Sequence, residues 1–193
     1  MSAPFGGVST RFSPETGNGD KVAIILPGSG YSPAHPLLEF GRQTLLQHGW
    51  TVQQVWWDQP QADELEPEDW VTAQAVTALD SEGAERFLLV GKSLGTMAAG
   101  VAASRRLPAV WLTPLLTKPR CVEWHREATQ PALLVGGSAD PDWDGELARQ
   151  LSDDVLELPD ATHFGHVPND AVRSAELHVD VARAIDAFLT RVG

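Results

Sequence analysis

The sequence holds one cysteine, Cys121, so it forms no internal disulfide, and a cysteine-based zinc site needs more thiolates than one. It has no long apolar run. The longest, 22–26 and 87–90, are strand-sized and far short of the ~20 residues a transmembrane helix requires. Residues 1–20 are rich in Gly, Ser, Thr and Pro and lack the apolar core of a signal peptide. The expectation is a soluble, cytoplasmic protein. Basic residues are scarce too: Lys plus Arg is 14 against 26 for Asp plus Glu, a formal net charge of −12. Such a chain is repelled by phosphate backbones and anionic lipid surfaces, so neither nucleic acid nor membrane is an expected partner.

What is present is an ordinary globular composition, 42% hydrophobic and 21% charged. The 193 residues suffice for one core without metal or disulfide. Residues 1–20 read as an N-terminal extension and 21–193 as a single domain. Short apolar runs alternate with helical patterns. Strands are expected at 21–26, 50–57, 86–90, 109–112, 132–135 and 155–158. Helices are expected at 36–48, 67–79, 94–106, 145–151 and 170–190. Strict alternation implies a mostly parallel sheet of about six strands with helices on both faces, a three-layer α/β/α sandwich. In such sheets ligands meet the carboxyl ends of the strands, which directs attention to the residues just after each strand.

After 87–90 comes Gly91-Lys92-Ser93-Leu94-Gly95, a G-x-S-x-G pattern between a strand and a helix. A serine on a very sharp turn has close neighbours, and glycines two before and two after it leave room. In a chain of this composition the pattern arises by chance roughly 0.08 times, so its strand–turn–helix context carries the weight. The bland alternative is a Gly-rich turn with an incidental serine. A phosphate loop would need a glycine at position 86, which is Arg86. Gly28-Ser29-Gly30 is no dinucleotide fingerprint either, because Pro33 stands where the third glycine belongs.

A nucleophilic serine needs a base and an acid that orients it, in the chain order Ser, Asp or Glu, His. Asp140 follows the strand at 132–135, with Asp142 and Asp144 as rivals; Asp144 suits a helix N-cap. His163 follows the strand at 155–158, with His166 as rival. A loop histidine with a structural hydrogen bond is the bland reading of either. No third ligand stands at metal spacing from His163 and His166, so no metal is expected. The loop Pro27-Gly28-Ser29-Gly30-Tyr31 is placed to donate one oxyanion N–H, from Ser29 with Gly30 as the alternative. Leu94, after the serine, donates the other.

These four segments together resemble the serine hydrolases of the α/β-hydrolase fold. The likeness runs from about Lys21 to Thr190 and is nearest the small, lidless bacterial members around the dienelactone-hydrolase-like group. It implies Ser93 as nucleophile, His163 as base and Asp140 as its orienting acid. It also implies an acyl-enzyme intermediate, no cofactor, and a small ester-type acyl substrate. Pro27 and Lys92 stand where many members carry His, and neither change removes a backbone N–H. Only 113–131 separates two strands where members often insert a lid, room for a small helix at 120–128. Trp57, Trp111, Trp124 and Trp143 are candidates for lining an open pocket, and ordinary core packing is the competing reading of each. The competing functions are a non-catalytic binding module on the same fold, and an acyltransferase or thioesterase using the same triad.

Overall fold

The computed structural model describes residues 8–12, 19–57 and 66–193. Seven strands form one sheet: β1 (Val8–Phe12), β2 (Lys21–Leu26), β3 (Thr51–Trp56), β4 (Arg86–Lys92), β5 (Ala109–Leu112), β6 (Ala132–Gly137) and β7 (Asp154–Leu158). Their order is β1-β3-β2-β4-β5-β6-β7. Strands β2 to β7 run parallel, as the alternating pattern requires. Strand β1 adds an antiparallel edge, with Val8 opposite Trp56 and Phe12 opposite Val52. Residues 8–12 thus belong to the domain's sheet, although the sequence places the domain start at 21. The rest of the extension, 1–7 and 13–18, lies outside the described residues.

The helices are α1 (Pro36–Gln47), α2 (Pro67–Asp80), α3 (Ala99–Arg105), α4 (Pro119–Glu127), α5 (Gly145–Leu151) and α6 (Ala171–Val192). Proline opens α1, α2 and α4, where its missing N–H costs no helical bond. Asp144 caps α5 and Asp170 caps α6, each carboxylate accepting an amide N–H from the first turn. The two faces of the sheet are both covered. Ala23 and Ile25 of β2 pack with Leu37 of α1 and with Leu177, Ile185 and Phe188 of α6. Val22, Ile24 and Leu26, one residue out of phase, pack with Trp70 of α2, Val101 of α3 and Trp124 of α4. This is why β2 reads as an unbroken apolar run: both sides of its pleat are interior. Between β5 and β6 lies α4 and no lid. Among the described residues no helix is long and apolar enough to cross a membrane.

His125 on α4 is an ionisable group inside this core. It is buried, its Nε2 has no hydrogen-bond partner among the described residues, and burial pushes its pKa down to about 4. Below 6.5 the unfolded chain takes up a proton that the folded chain refuses until about 4. Stability is therefore undiminished above 6.5 and falls as pH drops towards 4, by about 3 kcal/mol from this group. Urea unfolding of the wild type and of His125→Leu, compared at pH 7 and pH 4, measures this. The variant should lose less stability by about that amount. Equal losses in both proteins would mean that His125 titrates alike in the folded and unfolded states.

Candidate active site

Strand β4 ends at Lys92, and the chain turns at once. Ser93 has φ 50°, a left-handed conformation unfavourable for a residue with a Cβ. The turn is possible because of the glycines beside it. A Cβ on Gly91 would stand 2.6 Å from the Gly95 carbonyl oxygen and 2.7 Å from the Trp111 ring. A Cβ on Gly95 would overlap the Leu26 carbonyl oxygen and reach 2.8 Å from that of Pro27. Both spacings in G-x-S-x-G are thus demanded by backbone approach. The helix expected at 94–106 begins instead as a 3₁₀ turn, Ser93–Ala98, and becomes α-helical as α3. The Thr96 hydroxyl donates to the Ser93 carbonyl at 2.6 Å, an i to i+3 link that suits the tighter winding.

Asp140 and His163 arrive on two loops that are hydrogen-bonded to one another. After β6, the Ser138 amide donates to Leu158 O at 2.9 Å and the Ala139 amide to Ala161 O at 3.0 Å. In return the Asp160 amide donates to Ser138 Oγ at 2.8 Å. Gly137 allows this contact, since a Cβ there would overlap the Ala161 carbonyl. The histidine loop is turned on itself by the Thr162 amide, which donates to His166 O at 2.9 Å.

Three side chains meet across these elements. His163 Nε2 lies 2.7 Å from Ser93 Oγ, and His163 Nδ1 lies 2.8 Å from Asp140 Oδ2. The Asp140 carboxylate is wholly buried, His163 is mostly buried, and Ser93 is 8% exposed. Asp142 does not take Asp140's place. Its amide donates to Asp140 Oδ1 at 2.9 Å, and its own carboxylate accepts the Thr117 hydroxyl. His166 is spent on closing the loop through its carbonyl and rests against Phe164. Ligand atoms of Asp140, Asp142 and His163 do come within 4.8 Å of one another. Each is already engaged in a bond just described.

The loop after β2 faces Ser93 through Gly28, where a Cβ would stand 3.2 Å from Ser93 Cβ. The Gly28 amide is committed to Tyr31 O at 3.2 Å, and Gly30 has φ 61°, so the loop is a tight turn with Ser29 at its crest. Leu94 lies in the first turn of the 3₁₀ segment, where the helix itself supplies no acceptor for amides. Beside this loop is a cleft of about 300 Å³ lined by Gly28, Tyr31, His35, Trp56 and Trp57 among others.

Of the four tryptophans singled out in the sequence, Trp57 lines this cleft. Trp111 and Trp124 are core residues; Trp124 covers Gly100. Trp143 packs on Gly136 and donates its Nε1–H to Glu157 at 2.9 Å. Trp56 was not singled out, and its place at the end of β3 was the available signal. Tyr31 stands in the sequence only as the end of the Pro27–Tyr31 motif, and Lys92 as a departure from the usual His before the serine. Lys92 is 1% exposed, and its Nζ lies 4.6 Å from the Tyr31 ring centroid.

No family model and no curated protein matches the sequence. Solved structures do match in fold. Est1E from Butyrivibrio proteoclasticus with ferulic acid bound superposes with a TM-score of 0.75 at 14% identity, covering 99% of this chain and 97% of that one. An α/β serine hydrolase without a lid from Xanthomonas campestris gives 0.73 at 16% identity, covering 99% and 92%. An α/β serine hydrolase homologue from Coxiella burnetii gives 0.73 at 17%, covering 95% and 94%. The chain has the α/β-hydrolase fold in its lidless form.

Proposed function

We propose that this protein is a serine hydrolase that cleaves a small ester-type substrate through an acyl-enzyme intermediate, in the manner of a carboxylesterase. The observation that carries the reading is the unbroken line Ser93 Oγ, His163, Asp140, with both links under 3 Å and the serine held on a strained turn. Oγ attacks the carbonyl carbon while its proton passes to His163 Nε2. Asp140 holds the Nδ1–H and stabilises the imidazolium that forms. The Ser29 and Leu94 amides receive the oxyanion, each such donor being worth about 3 kcal/mol. The tetrahedral adduct collapses, and the alcohol leaves with the proton from His163. A water then gives its proton to His163 and attacks the acyl carbon, and the acid leaves as Ser93 regains its hydrogen.

The cleft beside the oxyanion loop supports a short or aromatic acyl group. Its volume is at the small end of ligand sites, and Trp56 and Trp57 are among its lining residues. Est1E, with ferulic acid bound, is a fold neighbour that accommodates an aromatic acid. The net charge of −12 disfavours a polyanionic substrate.

A fluorophosphonate probe tests the reading. The expected result is one adduct, located at Ser93 by peptide mass spectrometry. Its absence from the native, folded protein would favour the binding-module alternative.

A further inference from the structure

Lys92 is a buried ionisable group beside Ser93 that the hydrolytic steps leave unused. It is 1% exposed, a rare state for a lysine. Its stem passes beneath the oxyanion loop, where a Cβ on Gly28 would stand 3.0 Å from Lys92 Cδ. Its Nζ ends 4.6 Å from the Tyr31 ring centroid and 5.2 Å from that of Phe164. Both distances are those of a cation over an aromatic face. The two rings belong to different parts of the site. Tyr31 closes the oxyanion turn, and its hydroxyl accepts the Leu37 amide of α1 at 3.1 Å. Phe164 directly follows His163, and Lys92 directly precedes Ser93.

We propose that Lys92 is a positioning residue whose ammonium, held by the Tyr31 and Phe164 rings, ties the oxyanion loop to the histidine loop and so keeps His163 over Ser93. The inference rests on the serine-hydrolase reading above. Charge is the working part, because the ring quadrupole attracts a cation and has no such charge to act on in a neutral amine. That makes the tie sensitive to pH. Burial pulls the Lys92 ammonium down to about 8, and the Asp140 carboxylate pulls it the other way. The other titratable groups around it are Tyr31, with His35 stacked on its ring, and the histidines His163 and His166 that flank Phe164. Burial raises the Tyr31 phenol to about 12, outside the range in question. Below about 8 the lysine is charged and the tie holds; above it the amine is neutral and the tie relaxes.

The test is kcat and KM on p-nitrophenyl acetate from pH 6 to 9.5 for wild type, Lys92→Met and Phe164→Leu, with fluorophosphonate labelling in parallel. Wild-type kcat should fall as pH rises through about 8. Lys92→Met keeps length and loses charge. Its kcat at pH 7 should drop about tenfold with KM little changed, and its fall near 8 should vanish. Phe164→Leu should move that fall down by about half a pH unit, since one ring no longer favours the charged form. A Lys92→Met variant with wild-type kcat and an unmoved alkaline fall overturns the inference, while Ser93 labelling would still support the hydrolase. If Lys92→Met does not fold, carbon-13 NMR of the wild type decides, since the chain has only Lys21, Lys92 and Lys118 to assign. A Lys92 signal that titrates together with kcat supports the inference, and one that titrates while kcat stays flat overturns it. A wild type that neither turns over the ester nor labels overturns the hydrolase reading and this inference with it.

Discussion

Ser93→Ala should abolish ester hydrolysis, lowering kcat by at least about 10⁴-fold, and leave the fold intact. The size of the effect follows from the serine's place at the head of the relay. Without Oγ, His163 has no proton to take and no covalent intermediate forms. What remains is the oxyanion amides acting on a water that nothing positions. The fold should survive because alanine keeps the Cβ and the φ of 50° that the turn already tolerates. Ser93→Gly separates the two roles. It is equally inactive, but it removes the left-handed strain and should be more stable than Ser93→Ala by about 1 kcal/mol. Rates on a p-nitrophenyl ester, with thermal unfolding of both variants, give the answer. Wild-type turnover by Ser93→Ala would refute the nucleophile assignment.

Gly95→Ala should damage the protein as severely, through stability rather than chemistry. The added methyl would collide with the Leu26 and Pro27 carbonyls, which belong to the central strand β2 and its exit and have no room to retreat. A loss of about 3 kcal/mol or more is expected, equivalent to a Tm lowered by roughly 6–12 °C in a domain of this size. Gly83→Ala is the matched control. A Cβ there meets nothing within 4 Å among the described residues, and its stability should stay within about 0.5 kcal/mol of wild type. Equal Tm values for the two variants would show that the turn is looser than its contacts imply.

The sequence made the fold and the meeting of Ser93, His163 and Asp140 legible for physical reasons. Strands buried on both faces spell unbroken apolar runs, and a sharp turn spells its glycines. The choice between neighbours was not legible. Asp140 and Asp142 are equally acidic and nearly equally placed. What separates them is the hydrogen bonding of the 138–140 loop to 158–161, a pairing between segments about twenty residues apart. The same holds for His163 against His166. Strand β1 was missed because its five residues sit in a Gly, Ser and Thr-rich stretch, and its partner β3 is about forty residues away. The 3₁₀ turn after Ser93 is not legible because helical propensity does not register how closely the backbone at Gly95 approaches the end of β2. Lys92 stood in the motif from the start. Its burial depends on two rings about sixty and seventy residues distant, which no local pattern records.

The hydrogen bonds between the acid loop and the histidine loop divide the site into two separately built halves. Asp140 and His163 ride together on β6 and β7, as one jaw. Ser93 and the loop after β2 ride on β4 and β2, as the other. Strand β5 lies between them and contributes no reacting group. Within each jaw the spacings are locked by backbone, so slow breathing of the sheet would leave the 2.8 Å carboxylate–imidazole bond intact. The same motion would fall on the 2.7 Å gap between imidazole and hydroxyl, the gap that the proposed Lys92 tie also spans. For the hydrolase proposed above, mild heat or denaturant should therefore reach the contact between His163 and Ser93 before it reaches the sheet.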